Sequence, residues 1–493
     1  MASRLKKHWL LLTVLPIYSV LVVMMVFAHE PWFDEAQIWL LARDASPWTL
    51  LVKYLRYDNT PGLWHFLLVA PAKLKLPYIS MNILAAAIAI AAMYVFLRYS
   101  RFPTIVKILF PFTFFVFFQY AVVARNLVLL PLLLFLIASI YKQRMNQVFL
   151  YLLLLCLLAN VSLHGYLIAI GLVFVDVVDF FKHRSAVEKP VKRRQFISFL
   201  IFLVVCLAIL LLVWPPKDSV WVANRTGLIG TTLNHFLGMN GQMLNGAFTD
   251  LTYITIPVLF VSILWFRRKR VLLLYLATTL PLLVLFGVTW GAPWHAGILL
   301  LVWLFAMWIS FQDREKYYLP DERYPRALRT MAIAAMVIVF LFQIGWSYQT
   351  YRYDLLKPYS GSRAAADYIK KNHLEDKVIY STRVFSCAIL PYFNSNIFNN
   401  LNGKKNPSFA PWKLKELRPT NCWKDLVDIV KDQPDIIIVS GVSPNAKKLL
   451  STSRSNYRQV AFFDGAVFCK YKRIRDDSFA FYERVGPPVE PEH

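Results

Sequence analysis

The stretch Leu10–Asp44, LLLTVLPIYSVLVVMMVFAHEPWFDEAQIWLLARD, decides how the rest of the chain is read. Leu10 to Ala28 carry no charge, and a run of about 20 apolar residues is enough to cross a bilayer. The basic segment Met1–Lys7 precedes it and no small-residue cleavage pattern follows, so it reads as a retained first helix with a cytoplasmic N-terminus. His29–Asp44 then sets two adjacent carboxylates, Asp34 and Glu35, at the membrane surface between Trp32 and Trp39. Carboxylates beside hydrocarbon are costly unless water, a partner or a substrate satisfies them. The pair is therefore a candidate for chemistry. The structural alternative is an acidic first turn that favours the helix dipole.

The chain has 493 residues, is 57% hydrophobic, and concentrates that excess in repeated long runs. This is the composition of a polytopic membrane protein of mainly α class. A net charge of +25 raises the question of nucleic acid. The basic residues instead cluster in short loops between apolar runs, where the positive-inside bias and anionic lipid account for them, so no nucleic-acid partner is expected.

After the first helix, Ile79–Leu97 ends at Arg98-Tyr99-Ser100-Arg101, which places residues 29–78 outside. Two pieces of that outer loop, Asp34–Arg43 and Pro61–Leu74, have helical apolar spacing and are expected to lie in the interface. The alternation continues through Thr104–Val123, Leu127–Tyr141, Val148–Leu158, Tyr166–Phe181, Phe196–Trp214, Leu251–Phe266, Val271–Val288, Ile298–Phe311 and Met331–Trp346. That gives about 11 spans with every strongly basic loop on one side. Residues 1–346 are thus expected to form a transmembrane domain. Residues 347–486 alternate helix and strand and are expected to form an extracytoplasmic α/β domain. Its helices are read at Tyr359–Asn372, Thr420–Asp432 and Pro444–Leu450, its strands at Lys377–Ser381 and Asp435–Ser440, and a closing hairpin at Gln459–Phe463 and Ala466–Tyr471. Residues 487–493 read as a disordered tail. Cys156 and Cys206 sit in apolar runs, and Cys387, Cys422 and Cys469 allow at most one disulfide among themselves.

Several polar groups fall at outer ends. Asp34 or Glu35 is suited to act as general base on a hydroxyl, and adjacent helical residues diverge by about 100°, so only one can do so. Asp58, in Tyr57-Asp58-Asn59-Thr60-Pro61-Gly62, is a further catalytic candidate that would supply a second carboxylate near the acceptor; the stretch otherwise reads as a turn before a Pro-initiated helix. Arg125 ends a span; its fork matches a phosphate, and snorkelling is the plainer reading. His65, His164, His235 and His295 are outer histidines that could surround one site, with His164 a candidate for the donor phosphate; no cofactor is certain, and a divalent metal stays open although no compact metal spacing indicates one. Lys217 and Arg225 in the second outer loop are further phosphate candidates, and Trp39, Tyr57, Trp64, His65 and His295 are candidates for lining a substrate. Asp176 and Asp179 sit near an inner span end beside Lys182 and Arg184.

Asp34-Glu35-Ala36 after a first helix, Tyr57-Asp58-Asn59-Thr60-Pro61-Gly62-Leu63-Trp64, and Arg125-Asn126 at a span end resemble the GT-C superfamily of membrane glycosyltransferases. The nearest branch holds protein O-mannosyltransferases, lipid A aminoarabinose transferases and bacterial family-39-like enzymes. The resemblance extends over roughly residues 5–346 in topology. It implies an inverting hexosyl- or pentosyltransferase of the cell envelope, in a bacterial inner membrane, moving a sugar from a polyprenyl-phosphate carrier to a glycan, lipid or protein hydroxyl. Asp34 would be the base and Arg125 would hold the carrier phosphate. Asp58-Asn59-Thr60-Pro61 departs from the Glu/Lys-Pro-Pro pattern of the aminoarabinose branch, which leaves sugar and acceptor open. Three rival readings are a lipid-linked-sugar transporter or flippase, an O-antigen ligase or polymerase, and a non-catalytic scaffold. The transporter calls for mid-span ionisable groups and broken helix pairs, whereas the acidic residues here lie mostly at span ends.

Overall fold

The computed structural model describes residues 2–182, 189–223, 232–289, 291–312, 323–401, 403, 407–413, 423–441, 448–450 and 456–486. Apolar runs become helices because a backbone in hydrocarbon must satisfy its own polar groups. Among the described residues, seven helices are long and apolar enough to cross a membrane: Trp9–Ala28, Ser80–Tyr99, Asn126–Gln143, Leu163–Lys182, Pro190–Val213, Pro293–Phe311 and Arg326–Leu356. The count is eight if Leu233–Phe248 and Thr252–Arg268, bent by 81°, form one span. The protein is therefore mainly helical and multi-pass, with a small C-terminal sheet region.

The remaining apolar runs depart from the expected regular spans. Val148–Ala159 has 12 residues, about 18 Å at helical rise, against a hydrocarbon core of about 30 Å. Thr104–Val123 is broken into a helix at Thr104–Leu109, a 3-10 turn at Phe110–Phe112 and a π turn at Phe115–Gln119. Pro111 lacks the N–H a continuous helix needs. Phe114, Phe115 and Phe118 are fully buried, so this run is a plug inside the bundle. Pro293–Phe311 lies at the centre, with every residue from Ala296 to Phe311 buried, as a helix apolar all round requires.

The loops sort into two ends. At the basic end, Arg101 Nη1 and Lys142 Nζ both donate to the carbonyl of Gln312, at 3.1 and 3.0 Å. At the opposite end, Ala124 N donates to Glu35 Oε1, Asn126 Nδ2 to the Val161 carbonyl, and Leu63 N to the Asn160 side chain.

The helix Phe33–Asp44 is not interfacial. It is buried along most of its length, because the C-terminal region closes over it. Gln37 exchanges two hydrogen bonds with the backbone of Ala410. Arg43 donates to the Leu390 carbonyl, and Asp44 accepts from Ser408 N at 2.7 Å. Leu63–Lys73 follows as a second helix of the same segment, partly buried through Trp64, His65, Leu68 and Ala72.

In the C-terminal region, β1 (Ile379–Ser381) and β2 (Ile436–Ser440) pair in parallel, and β6 (Phe479–Arg484) lies antiparallel between β2 and β3 (Tyr457–Phe463). Helices Ser362–Lys371 and Trp423–Lys431 flank these strands in sequence. The expected hairpin around Asp464-Gly465 does not form. β4 (Ala466–Cys469) instead pairs with β5 (Lys472–Asp476) as a separate ribbon. The reason is local: Gly361 N donates to the Asp477 carbonyl and Asp477 N to the Gly465 carbonyl, which pulls residues 464–465 out of the sheet. A Cβ at Gly465 would stand 2.3 Å from Gly361 N, so the approach needs glycine. The ribbon docks on the bundle through Lys470, which bonds the Gly246 carbonyl and Asp250 and sits 3.8 Å from the Trp346 ring centroid. Cys387 and Cys469 are buried free thiols; Cys422, most of the expected helix Pro444–Leu450 and the tail 487–493 lie outside the described residues.

Candidate functional site

The acidic pair divides by direction. Glu35 points inward and is fully buried. Its Oε1 accepts from Ala124 N at 2.7 Å and from Asn82 Nδ2 at 3.3 Å. Its Oε2 meets His29 Nε2 at 3.2 Å and accepts from Trp32 N at 3.3 Å. The last bond is half of a capping box, with the third helical residue reaching back to the N-cap amide. Glu35, the other candidate base, has both oxygens occupied and neither exposed, and it ties Trp32 and the turn before Arg125 to one helix start.

His29 continues this chain. Its Nδ1 lies 2.8 Å from Asp354 Oδ2 near the end of the last long helix. Burial alone pushes its imidazole down, but the carboxylates of Asp354 and Glu35 outweigh that and raise it to about 10.

Asp34 faces the other way and is half-buried. Its Oδ2 lies 2.9 Å from Arg125 Nη1. The contact is close but lacks hydrogen-bond alignment: Arg125 Nη1 and Nε are buried with no aligned acceptor. The Arg125 guanidinium stands 5.7 Å from the Trp294 ring, whose carbonyl is held by the Tyr120 hydroxyl at 2.6 Å. Trp294 packs edge-on against Trp32 at 5.6 Å and lies 6.0 Å from the ring of His295. The His295 ring is 4.8 Å from that of His164, and its Nδ1 accepts from Ala292 N. The indole Nε1 atoms of Trp32 and Trp294 are also buried without an acceptor. Asp34, Arg125, His164 and His295, read separately along the sequence, thus share one place, where Arg125 pairs with Asp34 and several donors lack an aligned acceptor among the described residues.

The other candidates lie elsewhere. Asp58 Oδ2 is 3.2 Å from Nε2 of the fully buried His65, at the turn where Asn59 takes φ 54°. Tyr57 donates its hydroxyl to Asp218, and its carbonyl accepts from the Trp221 indole, so it anchors the segment after Trp214. Trp39 and Trp64, expected to line a substrate, are both buried; the Trp39 ring lies tilted against Tyr78 at 5.6 Å and Trp64 is fully enclosed. Lys217 is exposed; Arg225 lies outside the described residues. His235 is exposed at a helix start. Among the described residues, no three His, Cys, Asp or Glu side chains are gathered to hold a metal ion.

The C-terminal region adds residues that the sequence reading missed. Arg475 on β5 lies 3.8 Å from the Phe385 ring centroid and 5.3 Å from that of Trp32. Asp477 is buried, and burial raises its carboxyl to about 7, against the opposing effects of Ser360 and Arg475; the charge of Asp34 reaches it and adds to the rise. The mixed-charge run Arg473–Asp477 was the available signal, but nothing in it indicated contact with Trp32.

No family model, curated protein or solved structure matches the chain.

Proposed function

We propose that the protein is an inverting glycosyltransferase that moves a hexosyl or pentosyl group from a polyprenyl-phosphate carrier to an acceptor hydroxyl at the membrane surface. The observation that carries this reading is the cluster of unmatched donors beside Asp34. Arg125 Nε and Nη1, Trp32 Nε1 and Trp294 Nε1 are buried without aligned acceptors, and buried donors are normally satisfied. A phosphate supplies several acceptor oxygens and suits an arginine fork.

Asp34 takes the proton of the acceptor hydroxyl as the hydroxyl oxygen attacks the anomeric carbon. The bond from that carbon to the carrier phosphate oxygen breaks, and the charge growing on the phosphate is met by Arg125, with Arg475 near the same aromatic pair. Glu35 holds Trp32 and the Val122–Ala124 backbone, fixing where Arg125 stands. The site lies at the end of the bundle opposite the basic loops, which the positive-inside bias assigns to the extracytoplasmic face, and the family resemblance adds a bacterial inner membrane.

Mass spectrometry of lipid-linked sugars and envelope glycans, with and without the gene, tests this reading. A polyprenyl-phosphate sugar that accumulates as one glycan loses that sugar is expected. An unchanged lipid-linked pool together with unchanged glycans contradicts it.

A further inference from the structure

A second surface stands on the outer segment between the first two long spans, apart from the site at Asp34 and independent of the proposed transferase activity. Residues 45–79 hold four Lys or Arg residues, Lys53, Arg56, Lys73 and Lys75, against a single acid, Asp58. The positive-inside bias disfavours Lys and Arg at this end of the bundle, so their presence needs another cause. Among the described residues none of the four pairs with a carboxylate. Arg56 Nε donates to the Trp214 carbonyl at 3.0 Å and Lys73 Nζ to the Arg43 carbonyl at 2.7 Å, while Asp58 lies against His65. Lys53, Lys73 and Lys75 are exposed.

The same segment leaves large apolar side chains uncovered. Trp48 is 69% and Leu74 72% exposed, and Phe66, Leu67 and Leu76 are exposed as well. Both ends of the segment are held at span ends. The bond from Arg56 to Trp214 fixes one piece at the close of the span Pro190–Val213, where Trp214 is itself exposed. Ser80 Oγ donates to the Pro77 carbonyl and Leu76 N to the Pro71 carbonyl, so residues 74–77 lead directly into the span Ser80–Tyr99. The bond from Lys73 to Arg43 ties this second piece to the chain just before Trp48. Side chains held at span ends stand at headgroup level, where an apolar body enters the acyl boundary and a cation reaches the headgroups. Uncovered apolar side chains interleaved with unpaired cations fit a surface that is both apolar and anionic, and a leaflet of anionic lipid is such a surface.

We infer that residues 45–79 dock on anionic phospholipid, with Trp48, Leu74 and Leu76 entering the acyl boundary and Lys53, Arg56 and Lys75 meeting the negatively charged headgroups. A zwitterionic lipid offers the same acyl chains without the net charge, so it covers the apolar side chains and leaves the cations unmatched.

The basic loops at the other end also attract anionic lipid, so the test has to read this surface alone. The full chain, with a benzophenone amino acid in place of Leu74, is placed in nanodiscs of equal phosphatidylglycerol and phosphatidylcholine with identical acyl chains, and the photo-adducts are identified by mass. About tenfold or more phosphatidylglycerol over phosphatidylcholine adduct is expected from three cations near the surface. The ratio should fall toward one in Lys53→Gln/Arg56→Gln/Lys75→Gln and in about 1 M salt, where screening acts within about 3 Å. It should hold in Arg267→Gln/Arg268→Gln, which removes charge from a basic loop. A parent ratio near one, a ratio indifferent to the triple substitution, or no lipid adduct in a folded protein overturns the inference. Melting curves of each variant separate loss of the surface from loss of the fold.

Discussion

Two arginines mark the two ends of the bundle, and they are bound in opposite ways. At the basic end every guanidinium nitrogen of Arg144 has an acceptor: Nε on Asp176, Nη2 on Asp179 and Nη1 on the Tyr141 carbonyl, with the Tyr141 ring 4.1 Å from its centre. At the other end Arg125 has one carboxylate at 2.9 Å, poorly aligned, and two buried nitrogens with no aligned acceptor. Evolution of a stable fold favours the first arrangement, because an unmatched buried donor costs about 1–3 kcal/mol. Under the proposed function the second arrangement is completed by the donor phosphate, so the two arginines differ in how far the chain itself satisfies them.

The comparison can be broken in order of effect. Glu35→Ala strips the shared acceptor from Ala124, Asn82, Trp32 and His29, and should cost about 3–5 kcal/mol of stability, read as a large fall in the thermal midpoint. A midpoint unchanged from the parent contradicts the positioning role. Arg144→Met leaves the buried Asp176 unpaired and should cost about 3 kcal/mol, with donor affinity unchanged in whatever protein stays folded. Arg125→Ala is the mirror image. The half-exposed pair with Asp34 contributes less than about 1 kcal/mol to stability, while affinity for a polyprenyl-phosphate sugar should weaken about tenfold or more; acceptor affinity should move little. Equal loss of donor and acceptor binding removes the phosphate-clamp role. The smallest effect concerns pH. His29 is raised above its ordinary value of 6.5 to about 10, so its contribution is fully present below about 6.5 and is lost as pH rises through about 10. Thermal midpoints should therefore fall between those values in the parent, and His29→Gln should flatten that slope.

Much of this was legible along the chain because bilayer physics writes itself into apolar runs. The runs and their basic ends sorted the loops, and Asp34, Arg125, His164 and His295 fell at ends of the same kind before any contact was known. Hydropathy did not separate a span from a buried plug: Thr104–Val123 is as apolar as a span, yet it breaks around Pro111. The roles within the acidic pair were partly legible. Helical geometry required Asp34 and Glu35 to diverge, but the partners that claim Glu35 lie on other elements. His29 and Asp354, 325 positions apart, carry no pattern linking them, since a first and a last helix meet only in three dimensions. The same holds for Arg475, which reaches Trp32 through a ribbon that replaced the expected hairpin.

Asp34→Asn is the most direct test, because it keeps the size and hydrogen-bonding of the side chain and removes its basicity. With the purified protein, transfer of sugar from a polyprenyl-phosphate donor should fall by about 100-fold or more, with the thermal midpoint and donor binding kept. Transfer by Asp34→Asn at the rate of the parent protein contradicts the account.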